Sequence, residues 1–520
     1  MASGARTELF RKIRRALRLS LSTDAPADEL LESRREFLKR SALLSATALA
    51  GGSLLSSCGS RDRTPDRLPA PRIAIVGAGI AGLNAAYQLQ KQGVSAQVYE
   101  SSPRAGGRMY SAKDLLAPGL VTELGGEFID SNHADLLALC KEFGLELWDV
   151  DAANRRYVED AYYFGGRIVT ETEAVVAFRP FVPRIKADMA AVGDSVTFEN
   201  PGRAGPLDRT SIAQYLDGLG IAGWFRRLIE TAFVTEYGVE ADEQSCLNLL
   251  LMITAEATDK FEPFGESDER YKVSGGNMRV CTELARRLEP DIHLERRLES
   301  VRSKGEGYSL AFRSPQGSSV DVDADYVLLA LPFTTLRSVD LRVELPAFKR
   351  KAIAELGYGN SSKLLAGVRR RPWNDRGFRG DCFSDEPFQM AWDNSMCQAG
   401  EAAGLTIFQG GRRVTELGKG TADEQVARLI PGVEKVFPGV TASLSGRNAR
   451  FLWPAYPHAL AGYACYRPGQ WTTIAGAEIK PVGRLLFAGE HCSLDFQGFM
   501  NGGAETGRVA AESILAAVRK

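Results

Sequence analysis

The chain is 520 residues long and carries 64 Lys and Arg against 65 Asp and Glu, so its formal net charge at pH 7 is -1. Because the basic residues are also dispersed along the chain, the composition argues against nucleic acid as a partner. The length exceeds what one hydrophobic core usually holds and predicts two domains. The four histidines lie far apart and the cysteines form no CxxC pair, so we expect no metal site.

The first 60 residues have the features of an export leader. Residues 33–39, SRREFLK, resemble the twin-arginine signal that exports folded proteins. The segment that follows holds too many serines and glycines for a spanning helix, which needs about 20 strongly apolar residues, and we predict a cleaved signal peptide over residues 1–57. Cys58 resembles the cysteine of a lipoprotein box, and a lipid on it would be the contact with a membrane; ordinary cleavage after Ala-Leu-Ala at 48–50 is the alternative. We expect a linker over residues 58–71 and a protein located in the periplasm or at the extracytoplasmic membrane surface.

Residues 72–100 predict a strand, a glycine-rich turn, a helix and a second strand. The opening run RIAIV is short and β-branched, as in buried parallel strands. In GAGIAG, Gly77 permits a tight turn, Gly79 lets backbone approach a pyrophosphate, and Gly82 lets the helix lie close to the strand. The helix N-terminus favours phosphate, and Glu100 ends the second strand where a carboxylate accepts from ribose hydroxyls. The residues assigned to the dinucleotide here are Gly77, Ala78, Gly79, Ala81, Gly82 and Glu100. The motif by itself does not distinguish NAD from FAD.

Three further segments resemble the FAD-dependent amine oxidase family, which includes the monoamine and polyamine oxidases. They are RAGGR (104–108), ELGGEFI (123–129) and GRLLFAGEHCSLDFQGFMNGGAETGRVAAESIL (483–515). The resemblance implies FAD as the cofactor, bound between the first and last segments of the mature chain. The residues that it adds to the cofactor site are Arg108, Gly125, Gly126, Glu127, Phe128, Val301, Gly489, Glu490, Phe499 and Met500.

The resemblance also implies the fold class: an α/β protein with a Rossmann-like (GR2-type) FAD-binding domain and an inserted α+β substrate domain. We predict FAD-binding segments over residues 72–154, 266–340 and 446–520, and substrate-domain segments over residues 155–265 and 341–445. These inserted stretches have helical patterns, more charge and no nucleotide motif. Two insertions that meet over a cofactor enclose the kind of pocket in which small substrates bind.

Four residues are catalytic candidates by the same resemblance. Lys363 ends a GNSSK stretch, and the family places a lysine there that holds a water against flavin N5; the alternative is a solvated surface charge. Tyr463 and Phe499 correspond to two facing rings between which an amine approaches the flavin, and their electron-rich faces favour the amine nitrogen. Trp453 would pack near the flavin. For the three aromatic residues, ordinary core packing is the alternative.

Two positions differ from patterns within the family. Covalent members have a cysteine immediately before the first of the two rings, whereas this chain has Gly462, so we predict non-covalent FAD. Relatives that oxidise amino acids have an arginine just after the glycine pair, where this chain has Glu127 and Phe128. A substrate carboxylate therefore lacks its bidentate partner there, and an uncharged or cationic amine is the expected substrate. Glu127 either attracts a second ammonium group or packs against backbone.

The resemblance thus implies an FAD-dependent oxidoreductase acting on CH–NH groups. Hydride transfer from a primary or secondary amine would give an imine, which hydrolyses to an aldehyde or ketone plus ammonia or a smaller amine. O2 is the expected electron acceptor and is reduced to H2O2. Three alternatives remain: an L-amino-acid oxidase or monooxygenase on the same fold, a flavin desaturase, and a flavin-bearing binding or electron-transfer protein. No pattern in the sequence predicts an oligomeric state.

Overall fold

The computed structural model describes residues 71–193, 195–253 and 267–519, without the side chains of residues 159 and 160. The predicted signal peptide (1–57), Cys58 and the linker up to residue 70 lie outside the described residues. Residues 71–520 belong to one compact unit.

A five-stranded parallel sheet forms from segments at both ends of the chain. The glycine-rich turn follows its central strand, and all four residues of that strand, IAIV, are buried, as the β-branched run predicts. In spatial order the strands are Leu485–Phe487, Tyr326–Leu329, Ile73–Val76, Gln97–Tyr99 and Ile292–His293. The helices Ile80–Lys91 and Met500–Val518 pack against each other beside this sheet, so closely that a Cβ on Gly507 would lie 2.2 Å from the Ala81 carbonyl oxygen.

A second sheet has seven strands and comes from the inserted segments. Its strand Ser361–Val368 is buried at all eight positions, which places it in the centre of the domain. The order is Leu444–Leu452, Ser361–Val368, Ala403–Gly410, Met390–Asp393, Phe378–Ser384, Val158–Phe164 and Arg167–Val169. The predicted boundary at residue 446 falls inside the strand Leu444–Leu452, so this strand belongs with the substrate domain.

The other strands of the described residues form three smaller sheets. A four-stranded sheet has the order Ser319–Ala324, Gly307–Arg313, Arg297–Lys304 and Asp340–Arg342. Two-stranded pairs are Ser111–Lys113 with Val121–Glu123, and Leu147–Asp149 with Tyr271–Val273.

Helices surround the sheets, and several begin at side-chain caps. The side chains of Thr170, Ser211 and Thr421 each accept from the backbone N–H of the residue three positions later, whose own side chain accepts from the backbone N–H of the cap residue. These capping boxes stabilise the helix N-termini. The remaining helices are Ala134–Glu142, Val150–Asn154, Glu171–Phe178, Val182–Val192, Gly205–Asp208, Ile212–Leu219, Gly223–Tyr237, Cys246–Leu250, Met278–Leu288, Phe333–Leu336, Ala347–Glu355, Arg413–Leu417, Ala422–Val436 and Val440–Ser443, with 3-10 turns at Arg179–Phe181, Pro372–Arg376, Trp453–Ala455 and Glu490–Cys492.

Among the residues that the structure describes, no helix combines the length and apolar character needed to cross a bilayer. Within the same ranges, His, Cys, Asp and Glu side chains form no group of three that could hold a metal ion.

Candidate active site

A cavity of about 450 Å³ extends from the glycine-rich turn to the seven-stranded sheet. Its wall includes the start of the helix Ile80–Lys91, the loop at residues 125–128 and the start of the helix Met500–Val518. The chain therefore brings its N-terminal, middle and C-terminal segments to one cavity. An elongated cofactor and a small substrate would share it.

The glycine-rich turn has the geometry that a dinucleotide requires. Gly77 has φ +108°, and a Cβ there would lie 2.4 Å from the Ala330 carbonyl oxygen. A Cβ on Gly82 would lie 1.9 Å from the Gly77 carbonyl oxygen, so helix and turn touch through backbone. At Gly79 the nearest protein atom to a Cβ is 3.9 Å away, and this residue lines the cavity. The space beside Gly79 and the helix N-terminus is thus available to a phosphate.

Glu100 is held at the cavity wall by backbone. Its Oε2 accepts from the N–H of Ala78 at 2.8 Å, and its Oε1 accepts from the N–H of Ser102 at 2.8 Å. The Ser101 hydroxyl also donates to Oε1 at 3.2 Å. An ionised carboxylate accepts about four hydrogen bonds, so capacity remains for one from a ribose hydroxyl. Ala78 and Gly82 do not line the cavity themselves; Ala78 orients Glu100, and Gly82 packs the helix.

An ion pair joins the early and late cofactor segments. Arg108 Nη1 donates to Glu490 Oε1 at 2.8 Å, and Glu490 Oε2 accepts from the N–H of Gly498 at 2.8 Å. Both charged residues line the cavity, as does Gly489. Because a guanidinium has five N–H donors, Arg108 retains donors for a phosphate.

Val301 is placed differently from the expectation. Its side chain is fully buried, its strand pairs it with Leu310 and Leu341, and it does not line the cavity. Strand alternation turns it into the core between the sheets. The residues of this segment that reach the cavity are Arg296, Arg297 and Leu298.

Lys363 lies on the buried strand Ser361–Val368 and uses all three of its ammonium protons. Its Nζ donates to the carbonyl oxygens of Glu123 at 3.0 Å and Gly125 at 2.9 Å, and to Glu127 Oε2 at 2.7 Å. It lines the cavity and is 4 % exposed, so it is no solvated surface charge. A water that takes a proton from this ammonium would have to displace one of these contacts.

The neighbours of Lys363 in the sheet form a row along the cavity. The strand registers pair Lys363 with Phe408, Phe408 with Met390, and Met390 with Phe383. All four residues line the cavity. One face of the sheet is therefore a largely apolar floor that ends at one buried cation.

Glu127 bridges two lysines. Burial by itself would raise the pKa of its carboxyl, but the ammonium groups of Lys272 and Lys363 outweigh that effect and lower the pKa below its ordinary value. Burial by itself would lower the pKa of Lys272, but the charge and the hydrogen bond of Glu127 outweigh that effect and raise the pKa. Glu127 is thus ionised and fully engaged inside the protein. Its two carboxylate oxygens accept from lysine side chains of the protein itself, which is neither the substrate ammonium group nor the backbone packing that the sequence suggested.

Tyr463 and Phe499 both line the cavity, beside Gly498. A Cβ on Gly498 would lie 3.0 Å from Cδ2 of Tyr463, so the tyrosine ring passes directly over this glycine. Phe499 begins the last helix, with its ring centroid 4.9 Å from that of His133. Burial holds the pKa of the Tyr463 hydroxyl well above its ordinary value, so the ring remains a neutral phenol.

Trp453, Phe128 and Met500 also line the cavity. The indole Nε1 of Trp453 donates to the Leu124 carbonyl oxygen at 3.0 Å, which fixes the ring beside the loop at residues 125–128. Met500 covers Gly126, where a Cβ would lie 2.7 Å from Met500 Cγ. A side chain at position 126 would therefore have to displace the Met500 side chain.

Sequence reasoning missed an acidic section of the cavity wall, which comes from four separate segments of the chain. Its members are Asp130, Glu236, Asp268, Glu269 and Asp381. Burial raises the pKa of Glu236 to about 7 and that of Asp130 to about 6, and it raises the pKa of Glu269 as well. The only cue in the sequence is Glu236 itself, a carboxylate inside the apolar helix segment TAFVTEY.

One arginine of the inserted domain also reaches this section. Arg379 lines the cavity, and its Nε donates to Asp381 Oδ2 at 2.5 Å.

Sequence reasoning also missed Lys272. The only signal for it in the sequence is a charged residue at the centre of the short strand Tyr271–Val273.

Comparison with known proteins shows a family to which the chain is similar over most of its length. Residues 80–515 match the family described as flavin containing amine oxidoreductase. The chain is 24 % identical over 466 residues to an amine oxidase [flavin-containing] of Danio rerio, covering 86 % of each chain. It is 22 % identical over 468 residues to an L-amino-acid oxidase of Demansia vestigiata, covering 86 % of this chain and 87 % of the relative.

Solved structures show the same fold. A putrescine oxidase double mutant superposes with a TM-score of 0.74 at 22 % identity, over 86 % of this chain and 99 % of that one. Cyclohexylamine oxidase from Brevibacterium oxydans has a TM-score of 0.74 at 22 % identity, over 87 % and 100 %. The predicted fold class, a Rossmann-like domain with an inserted α+β domain, is confirmed.

Proposed function

The chain belongs to the flavin-containing amine oxidoreductase family, and from this premise we propose that it is an FAD-dependent oxidase that converts a primary or secondary amine to an imine, with O2 reduced to H2O2. The observation that carries the proposal is the single cavity that joins the dinucleotide turn at Gly79 to Lys363, Tyr463 and Phe499. A buried lysine and two aromatic side chains on the wall of one cavity are expected of an amine oxidase, and are not expected of a desaturase or a simple electron carrier.

The residues of the cavity fit FAD. Gly79 and the helix N-terminus would hold the diphosphate, Glu100 the ribose, and Arg108 a phosphate oxygen. No cysteine is found among the described residues that line the cavity, and Cys465 is fully buried outside it. This supports non-covalent binding.

Bound flavin would supply the hydride acceptor, and the chain orients the amine and excludes water. The rings of Tyr463 and Phe499 would hold the amine nitrogen against their faces while the reacting C–H points into the cofactor end of the cavity. Phe383, Met390 and Phe408 provide an apolar floor for the carbon chain. Lys363 contributes a fixed positive charge.

The acidic section of the wall supports an amine that carries a second positive charge. Glu236 has no hydrogen-bond partner among the described residues, and it faces the same cavity as Glu269. An ammonium group there would gain a charge-assisted hydrogen bond. A similar fold has been solved with putrescine, a diamine, bound to putrescine oxidase (TM-score 0.73, 21 % identity). We therefore favour diamines over monoamines.

The second candidate is an L-amino-acid oxidase, and Arg379 is the observation that favours it. This arginine comes from the inserted domain and could pair with a substrate carboxylate. The Nε of Arg379 donates to Asp381, however, and Glu236 and Glu269 line the same cavity. The carboxylates in this section of the wall are better suited to a cationic substrate group than to a carboxylate.

The test is anaerobic reduction of the FAD-loaded protein by matched substrates: putrescine, butylamine and L-amino acids, with loss of flavin absorbance as the signal and peroxide release measured in air. We expect putrescine to reduce the flavin fastest. In Glu236→Gln that preference should shrink, while Arg379→Met should leave the rate with putrescine above the rate with any amino acid. Fastest reduction by an amino acid, lost in Arg379→Met, would establish the second candidate instead.

We further propose that the leader exports the folded, FAD-loaded protein by the twin-arginine route. The support is the SRREFLK stretch, which resembles a signal for the export of folded proteins, together with a cavity suited to a cofactor around which the chain would fold. Replacing Arg34 and Arg35 by lysine should retain the protein in the cytoplasm, as cell fractionation would show. Export of the protein with both arginines replaced would refute the route. Mass spectrometry of the mature N-terminus decides between a lipid on Cys58 and ordinary cleavage.

A further inference from the structure

A chain of two buried ion pairs passes through Glu127 and joins lysines from different parts of the fold. Lys363 Nζ donates to Glu127 Oε2 at 2.7 Å, and Lys272 Nζ donates to Glu127 Oε1 at 2.9 Å. The three side chains are at most 5 % exposed. One carboxylate compensates only one ammonium group, so this lysine–glutamate–lysine triad has one uncompensated positive charge.

Lys272 lies behind the cavity wall and pairs with Glu127, which lines the cavity. Glu127 and Lys363 line the cavity, whereas Lys272 does not. Lys272 also donates to the Asn394 carbonyl oxygen at 2.8 Å, and the Phe128 ring centroid lies 5.4 Å from its Nζ. Its position is thus fixed from behind the cavity wall.

Backbone contacts hold the glutamate in place. Asn277 Nδ2 donates to the carbonyl oxygens of Glu127 at 2.7 Å and Gly126 at 3.1 Å. On the cavity side, the Trp392 ring centroid is 5.2 Å from Lys363 Nζ. The triad is therefore held by several contacts and is nearly buried, which strengthens its electrostatic effect.

Other ionisable groups nearby do not cancel this charge. Asp393 is paired with Arg371 at 2.8 Å. Burial raises the pKa of Glu123, whose carboxylate accepts from the Asn277 N–H and from a serine hydroxyl. Burial also raises the pKa of the Cys397 thiol, which favours its neutral form.

We propose that Lys272 and Glu127 are positioning residues for Lys363, and that the triad presents its uncompensated positive charge to the bound flavin and so favours flavin reduction. The proposal rests on the proposed function and deepens it. Reduction adds negative charge to a flavin, and a fixed cation in a dry site stabilises that charge. Lys363 then serves as a directed charge whose protons are already committed. Without Lys272, Glu127 would compensate Lys363 and leave the wall neutral.

The test is the two-electron midpoint potential of bound FAD, measured by equilibration with a redox dye and without any amine. Lys272→Met should shift the redox equilibrium about tenfold toward oxidised flavin, which is about 30 mV for a two-electron couple. The double variant Glu127→Gln with Lys272→Met restores one positive charge and should recover the wild-type potential. In that double variant Lys363 has lost the carboxylate that directs it, so flavin reduction by putrescine should remain slower than in the wild type.

Lys349→Met is the matched control. Lys349 is equally buried, donates to the carbonyl oxygens of Ala477 at 2.6 Å and Glu478 at 2.7 Å, and does not line the cavity. It should lower thermal stability and leave the potential unchanged. An unchanged potential in flavin-loaded Lys272→Met, or equal shifts in Lys272→Met and Lys349→Met, would overturn the proposal alone. A wild-type chain that takes up no FAD would overturn the proposed function as well.

Discussion

At the residue scale, the cavity wall combines groups whose states are set by burial. Lys363 is surrounded by three acceptors, Glu127 is ionised between two ammonium groups, and Tyr463 remains a neutral phenol. Desolvation disfavours an isolated charge and leaves a paired one in place. These residues therefore offer fixed charge and aromatic surface to a ligand in the cavity.

The contribution of the Tyr463 ring can be separated from that of its hydroxyl. Tyr463→Leu removes the ring face that attracts the amine nitrogen, an interaction of about 0.5 to 2 kcal/mol. We expect kcat/KM for putrescine to fall about 2- to 30-fold. Tyr463→Phe keeps the ring and should retain most of the activity. Equal losses in the two variants would show that the hydroxyl is the group that matters.

The raised pKa of Glu236 predicts a pH-dependent preference for diamines. With a pKa of about 7, its carboxyl is neutral at lower pH and ionised at higher pH, so only the higher range offers an anion to a second ammonium group. The other charged residues of this section are Asp130, Asp268, Glu269, Asp381 and Arg379. The ratio of kcat/KM for putrescine to that for butylamine should rise about tenfold, or ~1.4 kcal/mol, between about pH 6 and about pH 8.

Glu236→Gln should make this ratio flat across the same range, because the amide has no charge to gain. Steady-state kinetics with both amines at each pH provide the measurement, and the ratio largely removes the ionisation of the reacting amine. A profile in Glu236→Gln that still rises as in the wild type would assign the effect to another acid in this section.

At the element scale, the strand–turn–helix at residues 73–91 contains two glycines, Gly82 and Gly79, that are needed for different structural reasons. Gly82 has no room for a Cβ because the Gly77 carbonyl oxygen would be 1.9 Å away, whereas Gly79 has room within the protein and faces the cavity. The first glycine is required by folding. The second is required only if a ligand approaches the backbone.

This difference predicts opposite phenotypes for two identical substitutions. Gly79→Ala should fold with wild-type stability but raise the Kd for FAD about tenfold or more, since the methyl group occupies the space of a phosphate. Gly82→Ala should lower the free energy of unfolding by about 3 kcal/mol or more through overpacking. Thermal melting of the apoprotein and FAD titration separate the two; unchanged FAD affinity in Gly79→Ala would contradict the cofactor site.

At the scale of the whole molecule, the cavity depends on segments far apart in the chain. Arg108 contacts Glu490, Glu127 contacts Lys363, and the helix Ile80–Lys91 packs against Met500–Val518. Residues 71–520 belong to one compact unit. A ligand that binds across these contacts links the stability of both domains.

We therefore expect the chain 71–520 to unfold in one cooperative transition that shifts as a whole on loading with FAD. At a free concentration about 100 times Kd, FAD should add about 2.7 kcal/mol to the free energy of unfolding. Calorimetry of the apo and loaded protein is the measurement. Two transitions, only one of which responds to FAD, would show that the domains are energetically separate.

Local sequence determined much of this protein. The IAIV run, the spacing of Gly77, Gly79 and Gly82, and Glu100 at the end of the next strand specify the nucleotide turn because each acts within about 30 residues through backbone geometry. Family resemblance identified Lys363, Tyr463 and Phe499, and the structure places all three at the cavity.

Only the tertiary structure decided which charges share that cavity. Lys272 and Glu236 lie on separate elements with no motif around them, and their roles arise from long-range packing that sets their burial and their partners. Val301 is the opposite case: the family resemblance predicts it at the cofactor, but in the folded sheet its side chain points into the core. Short-range patterns specify backbone conformation, whereas desolvation and ion pairing depend on contacts that form only after the chain has folded.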